Sequence, residues 1–389
     1  MIFEALNAAK GDCLVLRFVE KDDLDDDIER LWIIDGGPNP VWKTALVPHL
    51  AALRKKVPCF LELGVVSHID DDHIFGLDKL IDDLANGTRP DMRFERFWFN
   101  AFEKVMGMPA GAGGAPASVA TVQALGDDWL AGLADPTSAA ITVQSFAQGD
   151  RLAGNLKRAG IPTNSEFGDL VMAGVKTPVS IGAQKVTVLG PRPAHVDALR
   201  KEWAAAWAQA DAKARKAALQ ALFGKPDASV PNLSSIVMFV ESGKSKLLLT
   251  GDALGNDIVD AWEQDLELPK GPVPVDILKL PHHGSNRNVS ERFLAKFPAR
   301  HYVFSADGTH ENPDPGTIEA VVAACGDREA TLHFTNGGIT WEKPYRLEKG
   351  GAPVLTLAEL LVELAAARPG RWTHTVRGDG EDCIRIPLP

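Results

Sequence analysis

The segment "SHIDDDHIFGL", residues 67–77, constrains this chain more than any other. Its His68–His73 part holds two histidines and three aspartates directly after the apolar run "CFLELGVV", which is typical of a buried strand. Leaving these groups unpaired at the end of such a strand would cost several kcal/mol for each group. Either a cation lies among them or the strand prediction is wrong.

Three other predicted strands also end in groups that can bind metal: Asp35 in "IIDGG", Asp252 in "LLLTGDA" and the His282–His283 pair in "LKLPHHGS". Alone, the aspartates fit turn chemistry and the histidines fit a hydrogen-bonded surface pair. Together with His68–His73 they predict a metal centre, because imidazole and carboxylate groups suit Zn²⁺, Mn²⁺ or Fe²⁺. Two such ions need an anionic bridge, and they lower the pKa of a bridging water.

The composition is that of a soluble globular protein, with 389 residues of which 45% are hydrophobic and 24% charged. The net charge of −11 argues against general binding to duplex nucleic acid or anionic membranes, but not against a local basic groove. No apolar segment approaches the roughly 20 residues that cross a bilayer, and a signal-peptide pattern is absent. The four cysteines are widely spaced. We therefore expect a cytoplasmic protein with free thiols.

The order of the predicted elements indicates a layered α/β fold. Three strands ("MIFEALNA", "DCLVLRF" and "LWIIDGG") precede a helix, the buried strand before His68 and a second helix, "HIFGLDKLIDDLANG". The pattern of residues 196–223 predicts a long helix. This helix would pack on the body of the protein or, alternatively, form the contact surface of a homodimer or of a protein partner. The tail predicts a helix, "LTLAELLVELAAA", and a closing hairpin around Gly378–Gly380.

The pattern H-x-[HD]-x-D-H after a buried strand, with a late "TGD" strand, resembles the metallo-β-lactamase fold. More closely, the chain resembles the hydrolase domain of ComEC-type competence proteins and their stand-alone relatives. The resemblance is carried by six motifs: "NAAKGDCLVL", "WIIDGG", "SHIDDDHIFGL", "NLSSIVMFV", "KLLLTGDA" and "LKLPHHGS". These motifs follow the order of that family and span about 320 residues. The membrane-channel part of ComEC proteins is not in this sequence, so the resemblance does not imply DNA uptake.

The resemblance implies a four-layer αββα sandwich of class α/β with its metals at one edge of the two sheets. This hydrolase domain would cover residues 1–345, with helical insertions at about 101–160 and 195–226. Residues 346–389 would form a C-terminal helix and hairpin extension packed on the domain.

The resemblance also implies the ligands of two divalent ions, Zn²⁺ or Mn²⁺ in the first place and Mg²⁺ as a further candidate. His68 and Asp70 would hold one ion. The other ion would be held by Asp72, His73 and one histidine of the His282–His283 pair. Asp252 would bridge the two ions, and Asp72 and Asp252 are the expected catalytic residues. Asp35 would orient the first histidine segment, and Asp71 would face outward or support the ligands.

The sequence departs from the family pattern at three places. Asp70 stands where a histidine is commoner, which favours harder ions such as Mn²⁺ or Mg²⁺. Before the bridging aspartate, "VPNLSSIV" lacks the family's further histidine and offers Asn232 or Ser235. Near the end, "THENPDP" replaces a histidine–proline motif and leaves His310 or Asp314 as substrate or metal contacts.

The function predicted first is a dinuclear metal hydrolase, a phosphodiesterase or nuclease that uses a hydroxide bridging its ions. Its substrate would be a phosphodiester in a nucleic acid or a nucleotide. Four residues around the histidine pair would contact phosphate, or else form an ordinary polar loop: Lys279, Ser285, Asn286 and Arg287. The alternatives are a metal-dependent lactone, ester or amide hydrolase, and a non-catalytic regulatory component of a bacterial multi-protein system.

Overall fold

Two large mixed sheets organise the chain in the computed structural model, which describes residues 1–21, 27–55, 59–106, 136–208 and 230–389. The strands are β1 (Ile2–Leu6), β2 (Leu14–Lys21), β3 (Asp27–Ile34), β4 (Cys59–Val66), β5 (Phe94–Phe99), β6 (Val179–Ile181), β7 (Gln184–Gly190), β8 (Val237–Ser242), β9 (Ser245–Leu249), β10 (Val275–Lys279), β11 (Ala299–Phe304), β12 (Ala330–Phe334), β13 (Thr340–Tyr345), β14 (Val354–Thr356), β15 (Trp372–Val376) and β16 (Cys383–Pro387).

The helices connect these strands, as expected for parallel crossovers. They are α1 (Val47–Arg54), α2 (Asp71–Ala85), α3 (Phe102–Met106), α4 (Pro136–Arg158), α5 (Pro193–Trp207), α6 (Val230–Leu233), α7 (Gly255–Asp260), α8 (Glu291–Lys296), α9 (Pro315–Cys325) and α10 (Leu357–Ala367). Among the described helices, none combines the length and the apolar composition that a membrane crossing requires.

The first sheet has the order β16-β1-β2-β3-β4-β5, with β3, β4 and β5 parallel. The second has the order β15-β12-β11-β10-β9-β8-β7-β6, and its strands from β9 through β12 to β15 are parallel. Because the carboxyl ends of parallel strands meet at one edge, the residues that follow β9 and β10 are neighbours. This brings Asp252 close to the His282–His283 pair.

Alternate residues of β3 divide between two apolar clusters, as the period of a strand requires. Trp32 and Ile34 belong to a cluster that contains residues of both large sheets. Leu31 and Ile33 belong to a second cluster that includes α1 and α2. A third cluster joins the second sheet to α9 and α10. The two sheets therefore share one buried face, and each packs helices on its other face.

The mixed α/β prediction is confirmed, and the strands expected before Asp35, His68, Asp252 and His282 are present. The prediction of a closing hairpin is wrong, because β15 pairs with β12 in the second sheet, whereas β16 pairs with β1 in the first. The glycine-rich turn thus links the two sheets. Helix α4 lies within the helical insertion expected at about 101–160. Much of the predicted long helix 196–223 lies outside the described residues, and its described part belongs to α5.

Candidate metal centre

Only four residues separate the end of β4 from the start of helix α2, and this short connection puts most of the opening motif at one sheet edge. Asp70 is the N-cap of α2, and Asp72 and His73 lie in its first turn, where carboxylates are favoured by the helix dipole. The β1–β2 turn packs directly on this helix start. A Cβ atom on Gly11 would overlap the carbonyl oxygen of Asp72, so the close approach requires glycine.

Asp35 reaches the same place from β3. The loop after it lies against α2, where the Gly36 N–H donates to the His73 carbonyl at 2.7 Å. The Asp35 carboxylate lies 2.9 Å from His73 Nδ1 and accepts hydrogen bonds from the Ser67 N–H and hydroxyl, both at 2.7 Å. Asp35 therefore links the His73 ring at the start of α2 to the backbone of Ser67 at the end of β4.

The histidine pair after β10 has an unusual backbone. His282 and His283 have φ values of 48° and 56°, in the left-handed region that non-glycine residues rarely adopt. Such conformations persist where surrounding contacts hold them, often at functional sites. Here His282 Nδ1 lies 3.1 Å from Asn288 Oδ1, and His283 Nδ1 lies 2.9 Å from the Ser305 carbonyl. Both contacts leave Nε2 for the interior of the site.

Asp252 is the common neighbour of four imidazoles. Its carboxylate oxygens lie 3.3 Å from His73 Nε2, 3.6 Å from His282 Nε2, 3.7 Å from His283 Nε2 and 3.8 Å from His68 Nε2. Three separate chain segments supply these residues: the one after β4 in the first sheet, and those after β9 and β10 in the second. The sequence thus brings its predicted strand-end groups into one cluster.

Two more carboxylates stand beside different histidines of this cluster. Asp70 lies 3.6 Å from His68 Nε2, and Asp72 lies 3.5 Å from His283 Nε2. The cluster therefore contains two carboxylate–imidazole groups that share Asp252. Oxygen and nitrogen donors of this kind match divalent transition ions.

Asp12 is a member that the sequence prediction missed. Its carboxylate lies 3.7 Å from His73 Nδ1 and 3.6 Å from His283 Nδ1, the ring edges opposite those that face Asp252. Asp12, His73, Asp252 and His283 can each place one ligand atom within 4.8 Å of the others. The available signal was "KGD" in the β1–β2 turn, where an acidic residue precedes a buried strand.

The charges of the cluster are strongly coupled. Burial opposes protonation of His283, but Asp252 and Asp12 outweigh it and raise the pKa of His283 to about 9. Burial likewise opposes ionisation of Asp252, yet the facing His73 and His283 hold its pKa well below the usual range. Carboxylates in this setting attract positive charge. A divalent ion supplies that charge, and its binding releases protons because it needs neutral imidazole.

Three buried polar atoms of the cluster have no hydrogen-bond partner in the described structure: His68 Nε2, Asp252 Oδ1 and Asp12 Oδ1. Such atoms are rare in native proteins, and each requires an explanation. His68 Nε2 and Asp252 Oδ1 face the shared interior. Their donor chemistry and their lack of partners fit a bound cation.

Lys279 corrects the sequence prediction. It was expected to contact phosphate, but it is fully buried and forms an ion pair with Asp12. Its ammonium also lies 3.4 Å from the Gly251 carbonyl. A buried lysine with an acidic partner neutralises that partner and does not face a substrate.

Ser235 contacts the residue at the centre of the cluster, and Asn232 contacts Ser235. The Ser235 hydroxyl accepts a hydrogen bond from the Asp252 N–H at 3.3 Å. Buried Asn232 accepts the Ser235 N–H on its carbonyl at 3.1 Å. These residues support the backbone that carries Asp252.

The remaining predicted residues are His310, Asp314, Ser285 and Asp71. His310 is exposed, and within the described ranges no contact joins it to the metal-binding groups. Asp314 accepts a hydrogen bond from the Asn286 N–H at 2.7 Å. Ser285 is buried, and its N–H donates to the His282 carbonyl at 2.9 Å. Asp71 accepts a hydrogen bond from Gln148 of α4 at 2.6 Å.

Comparison with known proteins assigns no family. No family model matches the chain, and no curated protein matches it. Four solved chains match, among them a single-site mutant of the CmlA beta-hydroxylase at 12% identity and a TM-score of 0.37. That alignment covers 99% of this chain and 54% of the other, so this chain spans about half the length of that protein. A likeness at this level supports no conclusion about activity.

Proposed function

We propose that this chain is a dinuclear metal-dependent hydrolase of the metallo-β-lactamase fold that cleaves a phosphodiester. The observation that carries the proposal is the position of Asp252, whose carboxylate lies between 3.3 and 3.8 Å from four imidazole nitrogens. The motif resemblance supports the same assignment. Two sheets that share one buried face and carry helices on their outer faces are what that fold requires.

The distances divide the ligands into two groups. We assign His283 to the group of Asp72 and His73, because His283 Nε2 lies 3.5 Å from Asp72 and 3.2 Å from His73 Nε2. That leaves His282 for the group of His68 and Asp70. One oxygen of Asp252 lies 3.6 Å from His282 Nε2 and 3.8 Å from His68 Nε2, and 3.7 Å from His283 Nε2 as well. Divalent ions held by these groups would supply Lewis acidity at phosphorus and activate water for attack.

Residues of this chain prepare the imidazoles for that role. A histidine that donates its Nδ1–H to an acceptor keeps the Nε2 lone pair available. Asp35 accepts from His73 in this way, and the Ser305 carbonyl accepts from His283. Asp12 stands on the same Nδ1 side of both rings. These contacts would fix ring orientation before any ion or substrate binds.

The substrate class rests on the resemblance and on the suitability of paired metal ions for displacement at phosphorus. With Lys279 and Ser285 buried, the remaining candidates for phosphate contact are Asn286 and Arg287, which follow the histidine pair. A docking role for the predicted 196–223 helix and a cytoplasmic location are further proposals.

The test compares Asp252→Asn with Asp71→Asn, a substitution in the same acidic motif whose side chain is bonded to Gln148 instead. The measurements are bound Mn²⁺ or Zn²⁺ per chain and turnover of bis-p-nitrophenyl phosphate. We expect the wild type and Asp71→Asn to bind about two ions and to cleave the ester, and Asp252→Asn to lose both properties while remaining folded. Unchanged turnover in Asp252→Asn would reject the assigned role.

A substrate panel separates the alternatives. Metal-dependent turnover of lactones, esters or β-lactams without turnover of phosphodiesters would support a metal-dependent hydrolase but reject a phosphodiester as its substrate. Well under two ions per chain with no turnover would favour the non-catalytic regulatory role.

A further inference from the structure

A large cleft lies at the edge of the second sheet that is opposite the metal centre. It has a volume of about 1150 Å³ and is lined at the amino ends of parallel strands by Val275, Ala299 and Ala330. The metal-binding residues follow the carboxyl ends of the same sheet. Since β10 has five residues at roughly 3.3 Å each, about 15 Å separates the two edges. The cleft is therefore a separate site.

The cleft is basic in an acidic protein. The chain has 41 basic and 52 acidic residues, yet more basic than acidic side chains line this cleft. The basic residues are Lys244, Lys246, Arg300, Arg328 and Arg371. The acidic residues are Asp276, Asp327 and Glu329. This local reversal of charge favours an anionic ligand.

The floor of the cleft is a polar row across three strands. His301, Thr331 and Thr373 are register partners on β11, β12 and β15, and the two threonine hydroxyls lie 3.1 Å apart. His301 is two residues from Val303, so it shares the face that points to the first sheet. Among the described residues, the cluster between the sheets includes Val303 but no residue of β12 or β15. The first sheet thus leaves this part of the face open.

The basic residues at the rim of the cleft can exchange their present ion-pair partners for a ligand. Arg300 pairs with Asp276 at 3.6 Å, and Arg371 pairs with Glu329, but these arginine side chains are 73% and 65% exposed. Exposed pairs contribute little stability. Lys244 forms no ion pair within the described chain. Guanidinium groups form paired hydrogen bonds with phosphate, which a polar floor of hydroxyl and imidazole groups can supplement.

We propose that this cleft binds a small ligand that carries several phosphate groups, at a site distinct from the metal centre. The volume suits a ligand of nucleotide size. A ligand that binds through carboxylates fits the rim less well. It would only replace Asp276 and Glu329, the two carboxylates that already pair with the rim arginines. Binding at this cleft does not depend on the proposed hydrolase activity.

The test is calorimetric titration with sodium tripolyphosphate. Wild type should bind one equivalent, and Arg300→Glu/Arg371→Glu should bind at least tenfold more weakly. A matched control, Lys157→Glu/Lys349→Glu, makes the same change in net charge at exposed sites outside the cleft and should bind like wild type. Lys244→Glu, which breaks no ion pair, should also weaken binding, and it keeps the test valid should the double variant unfold.

Asp252→Asn separates this site from the metal centre, since polyphosphate also binds metal ions. We expect this variant to bind tripolyphosphate as wild type does, and the cleft variants to retain their metal content. Loss of binding in Asp252→Asn alone would place the ligand at the metal centre and overturn the proposal. The absence of saturable binding by wild type, or equal binding by the cleft variant and the charge control, would also overturn it.

Discussion

Two buried clusters of this protein contain the same kinds of side chain but differ in how their charge is balanced. Beside the Asp252 cluster, a second group consists of Glu4, His49 and Cys383. Glu4 is fully buried, and its carboxylate accepts hydrogen bonds from His49 at 2.8 Å, Arg17 at 2.9 Å and Arg385 at 2.6 Å. The chain itself supplies the positive charge that this carboxylate needs.

The Asp252 cluster is balanced differently. Several carboxylates face imidazoles, Lys279 pairs with Asp12, and polar atoms such as His68 Nε2 have no hydrogen-bond partner in the described structure. A composition of histidine and acid therefore does not identify a metal site by itself. Neighbouring arginines make the Glu4 cluster structural, whereas incomplete pairing makes the Asp252 cluster a candidate for cations.

The largest predicted contrast is between two buried histidines, one from each cluster. His283→Ala should weaken binding of Mn²⁺ or Zn²⁺ about 1000-fold, equivalent to about 4 kcal/mol. His49→Ala should leave metal affinity within about twofold of wild type, because arginines already occupy the Glu4 carboxylate. Equilibrium dialysis of the folded variants measures both affinities. Equal losses in the two variants would erase the distinction between the clusters.

The Glu4 cluster should instead govern stability. Its partners outweigh burial and lower the pKa of Glu4 from 4.5 to about 2. The stabilisation is therefore present above pH 4.5 and is lost as pH falls toward 2. Glu4→Gln should reduce the free energy of unfolding by about 3 kcal/mol at pH 7, with a smaller difference at pH 3. Denaturant titration at both values tests this, and a pH-independent difference would contradict it.

Asp35 offers a smaller, indirect effect on the metal centre. Asp35→Asn removes the negative charge that orients His73 but keeps the shape of the side chain. Metal affinity should fall by about 10- to 100-fold, the usual effect of losing a partner of a ligating histidine. Asp71→Asn is the matched control in competition assays with a chromogenic chelator. Wild-type affinity in Asp35→Asn would show that the ring needs no such support.

The smallest expected effect concerns Arg385, which ties β16 to β1 through Glu4. Its side chain is 51% exposed, and Arg17 still pairs with Glu4 when it is removed. Arg385→Gln should therefore cost about 1 kcal/mol of unfolding free energy without altering metal binding. Thermal denaturation of the variant beside Glu4→Gln provides the comparison. A loss as large as that of Glu4→Gln would mean that Arg385 alone balances the carboxylate.

The sequence predicted the elements whose signals are local. Strands β4, β9 and β10 follow from apolar runs, and the polar groups after them follow from adjacency along the chain. Asp12 could not be predicted in the same way, because its role depends on the β1–β2 turn meeting α2 and β10. Sequence also does not report burial, which turned Lys279 from an expected phosphate contact into the ion-pair partner of Asp12.

Chain topology also limited what could be predicted from the sequence. The segment around Gly378–Gly380 has the composition of a hairpin turn, yet the strands it joins enter different sheets. Turn residues specify a change of direction but not the strand that becomes the neighbour. Likewise, His301 and Thr331 gain their proposed role from parallel register across the second sheet, which no short motif encodes.

Anomalous X-ray diffraction from crystals grown with Mn²⁺ tests the central claim most directly. We predict two strong peaks within ligand distance of the Asp252 carboxylate, one near His68 and Asp70 and one near Asp72, His73 and His283. Density at the Glu4–His49–Cys383 cluster instead, or no peak at Asp252 at saturating Mn²⁺, would contradict it.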